Sequence, residues 1–172
     1  MKLFIGVLVL MFVGVFNANA QQVSSLYGEL AYSRISLDEI DFDAIGARGG
    51  LNFTDNLAVE AEAFTGVNSE TVRVGGVNVK TDLSYQLGAY LALRTLVSTQ
   101  TELFARIGIA RAEIEASAMG VTVDGAKNTA AGGLGLRHEF NDRVTGIRAD
   151  ATYLNFDGGD GWAYGVSIFR RF

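Results

Sequence analysis

Residues 162–172 read WAYGVSIFRRF. Trp162, Tyr164, Val166, Ile168 and Phe172 are large and mostly aromatic or aliphatic, with Arg170 the one charge among them, while Ala163, Gly165, Ser167 and Phe169 fall between. A period of two is the period of a strand, because successive side chains point to opposite faces of a sheet. A strand has two edges, each a row of amides and carbonyls that must find partners or remain open. The partners of this last strand have to lie upstream.

Upstream, the chain divides into further alternating segments of about ten residues, a length that crosses a bilayer as a tilted strand. Eight strands are read in all, over 26–35, 43–53, 57–66, 82–95, 102–113, 128–140, 144–154 and 162–172. Three connections are short and polar: TDN after Phe53, LVSTQT after Arg94 and NDR after Phe140. The others, SLDEIDF, GVNSETVRVGGVNVKT, IEASAMGVTVDGA and NFDGGDG, are longer and mostly acidic. Short turns at one end and long loops at the other describe an up-and-down meander, and an even strand number lets it close. The predicted fold is all-β, an eight-stranded antiparallel up-and-down transmembrane β-barrel whose last strand pairs with its first. Within the second long connection, VRVGGVNV alternates on both sides of Gly75 and Gly76, the pattern of a two-residue hairpin turn. The third and fourth strands are therefore expected to project beyond the membrane.

The chain begins with Lys2, the apolar run LFIGVLVLMFVGVF and then NANA. This is the pattern of a secretory signal peptide with an A-x-A site at Ala18–Ala20. The expected organisation is a cleaved signal over residues 1–20 and a single barrel domain over 21–172. With 0 Cys among 172 residues, neither a disulfide framework nor a thiolate metal site is available. Beyond the signal no apolar stretch is long enough for a membrane helix.

Alternation would also suit a soluble barrel with an apolar interior, so the charged face decides. After residue 20 the only lysines are Lys80 and Lys127, in or beside loops, whereas the strand cations of that face are Arg48, Arg94, Arg106, Arg137, Arg148 and Arg171. A water-facing sheet would carry lysine; the planar arginine fork suits enclosed ion pairs. Glu29, Glu60, Glu62, Glu139 and Asp150 share that parity, with glycines between them, and the signs nearly balance. These residues are read as a charge network inside the lumen. The other parity is aliphatic, with Phe53, Phe140 and Phe172 at the short-turn end and Tyr32, Tyr85, Tyr153, Trp162 and Tyr164 at the loop end. Two aromatic girdles around an aliphatic band mark a lipid-facing surface. An eight-stranded barrel is only wide enough for side chains to fill it, so a closed lumen is expected, with a narrow channel for small solutes as the alternative.

On these features the chain resembles the small eight-stranded outer-membrane barrels of Gram-negative bacteria, similar to the OmpA transmembrane domain and its porin-family relatives. The resemblance rests on the signal peptide, the hairpin NFTDNLAVEAEAF and the terminal Phe172. It implies placement in the bacterial outer membrane, a monomer, and a role for Phe172 as the signal read by the barrel-assembly machinery. Arg170 departs from that pattern, a charge at lipid-facing parity whose cost at the membrane edge is about 0–1 kcal/mol. Some outer-membrane barrels modify lipid A with His and Ser. Here the one histidine, His138, is followed by Glu139 and Phe140 with no placed nucleophile, so no catalysis is expected. No cofactor, metal ligand set or nucleic-acid patch is read. Asp38, Glu39, Asp41, Asp43, Asp157 and Asp160 match no calcium loop. Arg34 and Arg111, at lipid-facing parity just outside the loop-end girdle, stand at the level of lipopolysaccharide phosphates, which arginine binds bidentately; ordinary snorkelling is the alternative.

Overall fold

The structure, a computed structural model, describes residues 25–37, 40–156 and 159–172. The signal peptide expected over 1–20, and with it Asp38, Glu39 and Asp157, lies outside the described residues. Nine strands follow in order: β1 Leu26–Leu37, β2 Ile40–Asn52, β3 Leu57–Gly66, β4 Ser69–Val74, β5 Val77–Leu96, β6 Thr101–Ala118, β7 Val121–Glu139, β8 Thr145–Phe156 and β9 Gly159–Arg171. All pairings are antiparallel, and β1 joins β9 along Tyr27↔Arg171 to Leu37↔Gly161. The barrel is thus closed on itself by its last strand.

Nine segments make eight staves. Strands β3 and β4 both pair with β5 and are the two parts of one stave, interrupted at Val67 and Asn68. The break is bonded to β2: the Val67 amide donates to the Asp43 carbonyl at 2.8 Å, and the Asn68 side-chain oxygen accepts from the Asp43 amide at 2.7 Å. The chain side-steps there without leaving its backbone groups open.

At the other end of β5 the expected hairpin is present. Gly75 and Gly76 sit at φ 58° and 86°, the left-handed backbone that a tight two-residue turn requires. A second projecting hairpin was not anticipated. The stretch IEASAMGVTVDGA, expected as a loop, is strand: β6 continues to Ala118, Met119 and Gly120 turn at φ 51° and 81°, and β7 returns from Val121. Methionine in a left-handed turn position carries no turn signal, which hid the hairpin. The connections SLDEIDF and NFDGGDG are likewise largely paired, with Ser36↔Asp41 and Asn155↔Asp160 inside ladders. Strands β5, β6 and β7 run for 20, 18 and 19 residues, about twice a membrane crossing. With β4 they stand above the barrel as a four-stranded sheet.

The outer face carries the expected belt. Leu30, Ile107, Ile109, Leu134 and Ile168 are exposed, Phe53, Phe140 and Phe172 lie exposed at the short-turn end, and Tyr32, Trp162 and Tyr164 at the loop end. Trp162 lies 5.4 Å from the Tyr153 ring and 6.1 Å from Tyr164, a continuous aromatic rim. The inner face has two layers. Toward the short turns it is charged; toward the loops it is apolar, with Ile35, Phe42, Phe64, Leu83 and Leu154 buried together and Leu37, Ile40, Ile114 and Phe156 packed on them. Both layers stand at one parity, and only the lower one carries the charges that mark it in the sequence.

Replacing Gly75 and Gly76 by two valines puts β-branched residues at positive φ. The outcome expected is a hairpin tip that becomes sensitive to protease while the barrel keeps its heat-modifiable gel shift; loss of that shift would place the hairpin within the folding core.

Candidate functional site: the filled lumen

The register sets up the lumen charges. Glu29 on β1 pairs with Arg48 on β2, which in turn pairs with Glu62 on β3, so three charges of alternating sign stand side by side on the inner wall. Glycine makes room across the barrel. A Cβ on Gly50 would lie 2.1 Å from the Tyr27 ring, and one on Gly135 2.4 Å from the Phe104 ring. These positions are the floors over which long inward side chains lie.

Seven of the expected residues form one lattice. Arg48 donates to Glu29 at 2.9 Å, to Glu62 at 3.0 Å and to Asp150 at 3.3 Å. Arg106 donates to Glu62 at 2.7 Å, to Asp150 at 3.0 Å and to the Thr152 hydroxyl at 2.7 Å. Arg148 grips Glu60 with both terminal nitrogens, at 2.6 and 3.1 Å, and reaches Asp150 at 3.0 Å. Hydroxyls occupy further carboxylate lone pairs: Tyr27 on Glu60 at 2.5 Å, Tyr90 on Glu62 at 2.9 Å and Ser167 on Glu29 at 2.9 Å. Two-ended charged hydrogen bonds of this kind fix geometry as well as charge.

Aromatic rings close the guanidinium faces. Arg148 lies 3.9 Å from the Phe104 centroid and Arg106 4.3 Å from Tyr90, while Arg137 is held between Tyr27 at 4.0 Å and Phe169 at 4.2 Å. Desolvated cation–π contacts are worth about 2 kcal/mol each. Arg137 and Arg148 stand directly opposite each other on β7 and β8, a like-charge pair that would repel. Glu29 sits between them, accepting from Arg137 at 2.8 Å and from Arg148 at 3.4 Å.

A second group lies nearer the short turns. Arg94 donates to Asn52 at 2.5 Å, and Arg171 donates to Glu102 at 2.9 Å and contacts Glu139. Glu102 was not singled out from the sequence, although it shares parity with Arg106; neither were Tyr27, Tyr90, Phe104 and Thr152, whose inward positions follow from the same alternation. Composition drew the eye to arginine and away from the rings that cover it.

The remaining candidates lie outside the lumen. Arg34 pairs with Asp41 at 3.1 Å, and the Ser36 hydroxyl together with that guanidinium holds the Asp41 carboxyl below its usual range. Arg111 donates to Asn128 at 3.1 Å and to Tyr85 at 3.4 Å. Both arginines are exposed at the loop end with part of their donor set in use. Phe172 is exposed, its amide bonded to the Leu26 carbonyl at 2.9 Å, and Arg170 lies 5.9 Å from its ring centroid. His138 faces lipid, with Nδ1 3.0 Å from the Thr101 hydroxyl.

A closed ring of eight antiparallel strands, an aliphatic belt between aromatic girdles and an interior packed with ion pairs together define a transmembrane β-barrel of the outer-membrane type. The sequence profile described as outer membrane protein beta-barrel domain matches residues 5–172, and the chain belongs to that family. No curated protein sequence matches it. Among solved structures, the N-terminal β-barrel domain of OprF from Pseudomonas aeruginosa is 14% identical with TM-score 0.69, over 88% of this chain and 100% of that one. OprG of the same organism is 12% identical with TM-score 0.63, over 91% and 99%. The Yersinia pestis attachment invasion locus protein Ail is 16% identical with TM-score 0.60, over 88% and 100%. At these identities the likeness is one of fold.

Arg148→Ala leaves the buried Glu60 with the Tyr27 hydroxyl and with Arg106 at 3.7 Å as its remaining partners, and removes one partner each from Glu29 and Asp150. Breaking a buried pair in this way costs about 3–5 kcal/mol. The expected result is a lowered urea midpoint for the folded barrel, partly restored by adding Glu60→Gln; a midpoint equal to the parent's would mean that water reaches the lattice.

Proposed function

We propose that this is a non-enzymatic outer-membrane barrel with a closed lumen, whose work is structural or a matter of recognition at the cell surface. The observation that supports it is the pair of stacked barriers: the arginine–carboxylate lattice, and above it the apolar layer around Ile35, Phe42 and Leu154. An ion crossing the barrel would have to displace fixed charge pairs and then lose its hydration in an apolar constriction. In this reading residues 1–20 are removed on export, Phe172 serves the barrel-assembly machinery, the barrel is a monomer, and Arg34 and Arg111 meet lipopolysaccharide phosphates with the donors not taken by Asp41 and Asn128.

The projecting sheet supplies the recognition surface. Ail has been solved in complex with the heparin analogue sucrose octasulfate. A polyanion needs a basic surface, and the projecting strands here carry Arg73, Lys80 and Lys127 against Glu70, Asp82, Glu113, Glu115 and Asp124. That balance favours a partner that is neutral or basic, reached through a sheet rather than a flexible loop.

In a planar bilayer the refolded barrel is expected to be nearly silent, and Arg137→Ala, which removes both bulk and a lattice cation, to open more often. Steady ohmic conductance from the unmodified protein, unchanged by Arg137→Ala, would replace this reading with the narrow channel.

A further inference from the structure

The sheet that stands above the barrel has two open edges. Strand β4 pairs with β5 alone along Ser69–Val74, and β7 pairs with β6 alone above Thr129, where its ladder with β8 begins. Water satisfies an open edge, so the unpaired backbone by itself selects no partner. Selection comes from the side chains beside it. Natural edges are blunted by charge or by a covering segment, yet β7 is exposed from Val121 to Gly125 and carries one charge there, Asp124.

The two edges complement each other. Strand β4 runs toward the tips and β7 returns from them, so β4 of one molecule is antiparallel to β7 of a neighbour standing in the same membrane. Thr71 and Arg73 share the outward face of the sheet with Thr122, Asp124 and Ala126, whereas Glu70 and Val72 share the inward face with Val123, Gly125 and Lys127. Faces must match across a seam. Among registers that match them, one sets Arg73 opposite Asp124 and Glu70 opposite Lys127 together, and a shift of two residues either way loses both pairs. The same register brings Ser69 to Asn128. Ser69 lies 12 residues above Leu57, where its stave starts, and Asn128 lies 11 above Glu139, where its own ends, so the two feet stand level.

The surroundings favour the contact. Asp82, Glu115 and Asp124 stand opposite one another on β5, β6 and β7, a row of like charges that is destabilising. Lys80 reaches Asp82 at 3.5 Å at one end of the row. At the other end the row stops at the open edge, and among the described residues neither Asp124 nor Arg73 has an ion pair. Arg73 of a second copy supplies the missing cation. Beneath the edges the lipid-facing wall is made of small residues, Ala61 and Ala63 under β4 and Ala130 and Gly132 under β7. Small residues let neighbouring walls in a bilayer approach closely, as two barrels must for their edges to meet.

We propose that this chain associates side by side with copies of itself, β4 of one molecule pairing antiparallel with β7 of the next from Ser69↔Asn128 to Val74↔Val123. Each barrel is closed within one chain, so it is finished monomers that associate. The contact joins two different edges and is heterologous, so it extends into rows or rings and not into two-fold pairs.

Disulfide trapping of the barrel in lipid vesicles tests this, since the chain has 0 Cys of its own. Thr71→Cys combined with Ala126→Cys sets two thiols opposite each other across the seam, while within one molecule they lie three strands apart, about 14 Å, too far for an internal bond. The expected non-reducing gel shows a ladder of dimers, trimers and longer species, from protein that keeps its heat-modifiable shift. Thr71→Cys with Thr122→Cys, four residues out of register, is expected to trap little. Arg73→Glu added to the first pair should lower the ladder about fivefold or more, as like charges replace opposite ones across the seam. Asp124→Arg added to that should restore it. Monomer alone, equal ladders from the in-register and out-of-register pairs, dimers in equal yield from either single cysteine, or no recovery on exchanging the charges would each overturn the proposal.

Discussion

A peptide group left unpaired in hydrocarbon costs several kcal/mol, and every residue of a barrel wall carries one. Every large feature of this chain answers that constraint. The ladder from Tyr27↔Arg171 to Leu37↔Gly161 removes the two edges that an open sheet would present to lipid. Where the third stave breaks at Val67 and Asn68, backbone and side-chain groups of that break bond to Asp43 on the neighbouring strand. Strand ends at the short turns are finished in the same way, the Asp142 carboxylate accepting from the Val144 and Thr145 amides.

Closing the wall creates the next problem, an interior too narrow for bulk water and lined by alternating side chains. The lumen solves it twice, with aliphatic and aromatic packing toward the loops and with saturated ion pairs toward the short turns. Buried ion pairs are weak evidence for stability, because desolvation offsets most of the Coulomb gain. Their effect here is specificity. Arg48, Arg106 and Arg148 each reach carboxylates from two or more strands that are distant in sequence, so a register slip would strand several charges together.

Much of this was legible in the residues. Alternation located the membrane-crossing part of all eight staves, because lipid outside and charge inside exaggerate the contrast between parities, but not the projecting parts of β6 and β7, which run on to Ala118 and start at Val121. The hairpin at Gly75 and Gly76 was legible through its turn chemistry, whereas its neighbour at Met119 and Gly120 was not, since a methionine at positive φ is dictated by the ladder around it and not by propensity. Arginine in place of lysine marked the lumen side. Which arginine would meet which carboxylate could not be read, because contacts such as Arg48 with Asp150 or Arg106 with Glu62 depend on barrel diameter and stagger. The apolar upper layer was missed for another reason: Ile35 and Phe42 share the inward parity of Glu29 and Arg48, but they carry no charge to mark that side and lie at or beyond the expected strand ends.

Strands β5, β6 and β7 run from the short-turn rim to the projecting tips, joined by ladders that extend from Leu96↔Glu102 to Lys80↔Ser117, with one bulge at Ser84, and from Thr101↔His138 to Ala118↔Val121. A pull on the sheet, directed away from the cell, therefore runs along the strands and loads those ladders lengthwise. Rungs loaded in that direction share the force, whereas rungs peeled from one end fail in turn. Strand β4, which ends at Ser69 and rejoins its stave only through the kink at Val67 and Asn68, lacks that continuity. The projecting sheet is thus mechanically graded, a tether on its β6 side and a tear-away flap on its β4 side.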